Sequence, residues 1–169
     1  MNDTSINLKS LLINAYEALK QKKYEEGKKL LEEILIINSE IFEVNYNLAV
    51  LNLKLGNIDA SIPLFEKAKK LNSGSSQVYF NLGLALDRKK EKNLAIKNFQ
   101  KVIELEPDNL MAYFNLGTIY KEILKINKAE EYLKKCLDLK PNFKLAFNNL
   151  FDLYDRSNQL EKYSQLLKQ

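Results

Sequence analysis

Apolar residues in this chain recur three and four apart, in short stretches broken by polar turns. That is the periodicity of amphipathic helices rather than of strands. The pattern then repeats. The segment YFNLGLALDRKKEKNLAIKNFQKVIELEP, from Tyr79, aligns with YFNLGTIYKEILKINKAEEYLKKCLDLKP, from Tyr113, at an offset of 34 residues. Extending the frame both ways gives units 8–41, 42–75, 76–109, 110–143 and a shortened 144–169, with no insertion between them. A fixed period of this length predicts one array over residues 1–169, an all-α solenoid in which each helix pair buries its apolar face against its neighbours.

Positions within the unit carry the detail. The seventh holds Leu48, Leu82, Leu116 and Leu150, with Asn14 as the exception. The twenty-fourth holds Leu31, Phe65, Phe99, Leu133 and Leu167, and the thirtieth Ile37, Leu71, Leu105 and Leu139. Gly56 marks one turn inside a unit, and Pro107 and Pro141 stop helices before the next unit begins. The eighth and twentieth positions pair small residues: Ala15 with Gly27, Ala49 with Ser61, Gly83 with Ala95, and Gly117 with Ala129. A helical Gly costs about 1 kcal/mol relative to Ala, so Gly83 and Gly117 point to close helix–helix contact. Cys136 occupies the twenty-seventh position, beside Ile34, Ala68 and Val102 in the other units, and reads as a small buried residue.

Composition narrows the chemistry. There is no His and one Cys, which excludes His-based acid–base catalysis, a Ser-His-Asp arrangement, His-containing metal sites and an intrachain disulfide. No catalytic residues, metal or cofactor are expected. The net charge is +4, but all except two of the 26 basic residues are Lys, only Arg88 and Arg156 being Arg. Bidentate reading of phosphates and bases favours Arg, so the balance argues against a nucleic-acid partner. The paired lysines interleave with glutamates as solvated helix faces do. MNDTSINLKSLLINAYEALK lacks the layout of a signal peptide, and no apolar run approaches a membrane span. A cytoplasmic location is the default expectation.

The motif residues resemble the tetratricopeptide repeat. Tyr113, Leu116, Gly117, Tyr120, Ala129, Leu133 and Pro141 match its signature, and Tyr79, Leu82, Gly83, Ala95, Phe99 and Pro107 match almost as fully. The first two units are looser, with Leu11 and Asn45 at the aromatic position and Ser39 and Ser73 in place of Pro. The resemblance covers about residues 8–169 and implies a right-handed superhelix of antiparallel helix pairs whose first helices line a concave groove.

It also implies where a partner binds. The groove-facing sixth positions are Ile13, Asn47, Asn81, Asn115 and Asn149, so four Asn recur at 34-residue spacing. An amide both donates and accepts, and such a ladder suits an extended peptide backbone. The competing reading is that each Asn bonds to a neighbouring helix. The fifth positions, Leu12, Tyr46, Phe80, Phe114 and Asn148, add an apolar flank that either selects hydrophobic side chains or packs between units. The Lys/Asn clamp with which some family members capture acidic chaperone tails is missing, since its positions hold Leu12, Tyr16, Asn47, Gln77 and Asn81, or Tyr46, Val50, Asn81, Met111 and Asn115.

The last unit departs from the rule, with Phe151 and Tyr163 at the small-residue positions and Leu166 and Leu167 lacking an obvious cover. Two alternatives stand: a cap or self-association surface at the C-terminal end, or the cut end of a longer chain. Family arrays often precede a catalytic domain of glycosyltransferase or sulfotransferase type, which makes a substrate-recruiting arm the alternative to a free-standing protein-interaction scaffold.

Overall fold

A computed structural model describes residues 2–156, 161, 162 and 164, with side chains from Leu8 onward. Among these residues there are nine helices and no strand: α1 (Asn2–Lys20), α2 (Tyr24–Ile37), α3 (Phe42–Lys54), α4 (Ile58–Leu71), α5 (Ser76–Arg88), α6 (Lys92–Leu105), α7 (Leu110–Glu122), α8 (Ile126–Leu139) and α9 (Lys144–Arg156). From α3 onward, first helices start every 34 residues, at Phe42, Ser76, Leu110 and Lys144. The chain forms two compact units, Met1–Lys90 and Glu91–Gln169.

In the first unit, α1 packs on α2 and α3 on α4. Ala15, Leu31, Ile34, Val44 and Leu48 form a buried cluster, lined by Leu11, Leu12, Leu19 and Leu30. Leu48 is buried, whereas Asn14, at the same position of its repeat, is exposed. The loop between α2 and α3 lacks a proline, and the buried Asn45 holds it instead. Its Nδ2 donates to the carbonyls of Ser39 and Ile41, both at 2.8 Å. The amide at the aromatic position thus gives the Ser39 carbonyl a donor and the Ile41 carbonyl, which also accepts from Asn45 N, a second one. Gly27 packs under Leu19, whose Cδ2 lies 2.6 Å from where a Cβ would sit.

In the second unit, α7 packs on α8 and α8 on α9. Ala112, Leu116 and Ile119 of α7 and Ala129, Leu133 and Cys136 of α8 are all buried where the two helices pack. The signature residue Tyr120 stacks on Tyr132, centroids 5.4 Å apart. Gly117 lies against α8 so closely that a Cβ would stand 2.7 Å from Leu133 Cγ and 3.3 Å from its backbone nitrogen. Glu130, 9% exposed, accepts from Lys134 at 2.7 Å and from Lys162 at 2.5 Å. Burial works to raise its pKa; the two ammonium groups outweigh it and hold the carboxylate below its ordinary range. Of the end-face residues, Phe151 is half-buried on α9, while Tyr163, Leu166 and Leu167 lie outside the described residues.

The turns inside the repeats share one device. Lys22, Gly56, Lys90 and Leu124, spaced 34 apart, all adopt a left-handed backbone with φ of 62°, 84°, 68° and 58°. This residue lets the next N–H reach back five residues: Lys23 to Ala18, Asn57 to Asn52 and Lys125 to Tyr120, at 2.8–2.9 Å. Only Gly56 takes the conformation without steric cost. Leu124 is the least suited and stays 79% exposed. A side chain in this region costs about 1–2 kcal/mol, partly offset by the roughly 0.5–1 kcal/mol of chain entropy a glycine gives up on folding. Leu124→Gly is therefore expected to raise stability by about 0.5–1 kcal/mol, and Gly56→Ala to lower it by about 1 kcal/mol. Urea titrations of both variants measure this, and a stabilised Gly56→Ala would refute the strain assignment.

Candidate functional site

Helical geometry places the second, fifth, sixth, ninth and thirteenth positions of a first helix on one stripe. On that stripe Asn47, Asn81, Asn115 and Asn149 are all half-buried. Three of them bond to their own helix. Nδ2 of Asn81 donates to Gln77 O at 3.0 Å, that of Asn115 to Met111 O at 2.7 Å, and that of Asn149 to Leu145 O at 2.8 Å. A carbonyl only accepts, so the NH₂ must face it and the amide oxygen is turned away. Asn47 instead donates to Tyr16 Oη at 3.3 Å, and Asn81 also donates to Tyr46 Oη at 2.9 Å. Among the described residues no hydrogen bond reaches Oδ1 of Asn47, Asn81 or Asn115. The outward offer of these three rungs is thus an acceptor more than the two-way amide grip expected from sequence.

The fourth rung differs. Lys121 Nζ donates to Asn149 Oδ1 at 2.5 Å and to Asp152 Oδ2 at 2.9 Å. Arg156 Nε lies 2.7 Å from Asp152 Oδ1. The hydrogen bond from Lys121 holds the Asp152 carboxyl below its ordinary range; burial opposes it, and the charges of Lys121 and Arg156 add to the lowering.

The fifth-position aromatics are packed as well as half-exposed. Tyr46 stacks on Phe42 at 6.0 Å and meets Phe65 edge-on at 6.2 Å. Burial raises its pKa, and the bond from Asn81 pulls the other way. Phe114 meets Phe143, in the loop before α9, edge-on at 5.4 Å. Phe80 is half-buried on α5. Leu12 belongs to the lining of the first unit's core, and Asn148 is exposed. Open apolar surface on these helix faces comes in the first unit from Ile13, at the groove-facing sixth position, and from Tyr16 on α1, and in the second unit from Met111 and Leu145, 43% and 52% exposed, on α7 and α9. Met111 and Leu145 hold the second position, which the family resemblance places on the groove but whose apolar side chains were not read as part of the site. Their signal was an apolar side chain four residues before an Asn on the same stripe.

Reactive chemistry is confined. Cys136 is buried, its Sγ donating to Tyr132 O at 3.3 Å, and burial pushes the thiol up to about 12, so it is no nucleophile at neutral pH. Among the described residues no cluster of three or more metal-ligating side chains occurs. None of their helices is long and apolar enough to cross a membrane.

Antiparallel helix pairs at a constant 34-residue period define an all-α solenoid of helix pairs. Tetratricopeptide repeat models match residues 14–76, 76–109 and 111–143, and the chain belongs to the tetratricopeptide repeat family. No curated protein matches it by sequence. Among solved structures, MamA superposes with a TM-score of 0.91 at 21% identity, covering 99% of this chain and 90% of MamA. MamA 41-end from Desulfovibrio magneticus RS-1 gives 0.88 at 21% identity, covering 99% and 93%. YrrB, a TPR protein with an unusual peptide-binding site, gives 0.75 at 26% identity, covering 79% of this chain and 69% of YrrB. The MamA likenesses establish the fold.

Proposed function

We propose that the chain is a protein-interaction scaffold that holds an extended peptide segment against the stripe of its first helices. The observation that carries this reading is the outward Oδ1 of Asn115 in the second unit, fixed by an Nδ2 bond within its own helix and without a donor among the described residues; Asn81 in the first unit repeats the arrangement. An extended peptide has unpaired backbone N–H groups that such acceptors satisfy whatever its side chains are. Met111 and Leu145 supply apolar contact beside the rung of Asn115. The peptide-binding site of YrrB supports the reading by kinship within the family.

Each backbone contact contributes about 0.5–1.5 kcal/mol, so losing two is expected to weaken binding about tenfold. The variant Asn81→Ala with Asn115→Ala tests this against fluorescein-labelled dodecapeptides selected from a random library on the intact chain. Anisotropy titrations should show that loss with helicity and melting unchanged. Unaltered affinity in a folded double variant would reject the reading, and an unfolded one would make the ladder structural.

A further inference from the structure

Asn115 and Asn149 hold the same position of consecutive repeats in the second unit and make the same i to i−4 bond, yet their oxygens face different surroundings. Asn115 Oδ1 has no donor among the described residues, whereas Asn149 Oδ1 is taken by the Lys121 ammonium at 2.5 Å. Lys121 is held from its other side by Asp152 at 2.9 Å, and Arg156 keeps Asp152 paired independently. A cation at that distance repels the positive end of an approaching peptide N–H, so this oxygen is closed as an acceptor. An ammonium has three N–H donors. Two of those on Lys121 are used here, and the third remains.

We infer that Lys121 inverts the polarity of the Asn149 rung: there the partner is met by an ammonium donor rather than an amide acceptor. Lys121, not Asn149, is then the residue that sets specificity at this end of the stripe. This rests on the peptide-binding reading above and adds to it the chemistry of the partner. The bound segment places a backbone N–H over Asn115 and an oxygen acceptor over Lys121. That oxygen is a backbone carbonyl or a side-chain carboxylate, both of which accept from an ammonium.

The test uses the full chain and the same library-selected dodecapeptides, comparing Asn115→Ala, Asn149→Ala, Lys121→Met and Lys121→Gln. Lys121→Met is expected to weaken binding about three- to tenfold. Asn149→Ala should change it less than about twofold, because Asp152 still positions the ammonium. Lys121→Gln keeps a donor without the charge. It should recover most of the affinity if the partner oxygen is a carbonyl. It should recover little, with wild-type binding falling steeply as salt rises, if that oxygen is a carboxylate. A loss in Asn149→Ala as large as that in Asn115→Ala, with Lys121→Met unaffected, would overturn the inversion while leaving the ladder intact. No loss in Asn115→Ala would instead bring down the underlying reading. Circular dichroism on each variant separates binding effects from unfolding, and a folded Lys121→Gln serves if Lys121→Met does not fold.

Discussion

Replacing Phe65 by alanine is expected to lower stability by about 3–5 kcal/mol, the range for truncating a fully buried aromatic. Phe65 is wholly shielded from water on α4, and its ring meets Tyr46 of α3. Removing it opens a cavity that neighbouring side chains on two helices fill only in part. Helices cannot slide inward freely here, because the small pair Ala49 and Ser61 is already buried between α3 and α4. The loss reaches the candidate site too. Tyr46 is edge-on to Phe65 and accepts from Asn81, so a loosened Tyr46 releases one of the bonds that orient that rung. Urea denaturation followed by circular dichroism reads the effect, and a loss below about 1 kcal/mol would show that Phe65 is no core anchor.

Gly117→Ala and Gly27→Ala are expected to differ in sign although both glycines lie inside helices at small-residue positions. Each gains about 1 kcal/mol of helix propensity from the new methyl group. At Gly117 the methyl would meet Leu133 Cγ at 2.7 Å and the Leu133 backbone nitrogen at 3.3 Å, and Leu133 is fully buried. Neither a locked core side chain nor the α8 backbone can yield without moving the helix, so overpacking of about 1–3 kcal/mol leaves a net loss. At Gly27 the obstruction is the side chain of Leu19 alone, a partly exposed leucine at the edge of the core, and the nearest backbone atom, Ala15 O, lies at an ordinary 3.5 Å. Its variant should be neutral or slightly stabilised. Paired thermal melts decide the matter, and a stabilised Gly117→Ala would mean that α7 and α8 are less tightly apposed than described.

Much of the fold was legible in the chain because its physics is local and repeated. The 34-residue period marked the starts of α3, α5, α7 and α9, and the small residues at the eighth and twentieth positions marked where helices touch. Pro107 marked the end of the preceding helix, whereas the cap of α7, Asn109, whose side chain accepts from Ala112 N at 3.0 Å, emerged only from the structure. Legibility failed where one conformation is served by unlike residues. Gly56 declared its turn, but Lys22, Lys90 and Leu124 share its left-handed backbone with nothing in their identity to say so, since hydrogen bonds of the surrounding turn impose it. Asn45 likewise read as a weak match to an aromatic position. Its purpose appears only when Ser39 and Ile41 turn their carbonyls toward it.

The candidate site divides in the same way. The sequence by itself determined that four Asn hold the same position, and so the same face, of four first helices, because a 34-residue period and 3.6 residues per turn fix that phase without reference to neighbours. It also determined the chemistry absent from the chain, since residues that do not occur cannot be assembled by folding. Only the tertiary structure decided what each Asn has left to offer. Their amides look identical along the chain, yet Asn81 spends N–H groups on Gln77 and Tyr46, Asn115 keeps its oxygen open, and Asn149 yields its oxygen to Lys121 from the preceding repeat. A hydrogen bond depends on distances of a few tenths of an ångström between groups 28 to 35 residues apart. Such distances are set by how helices pack, not by the order of residues within any one of them.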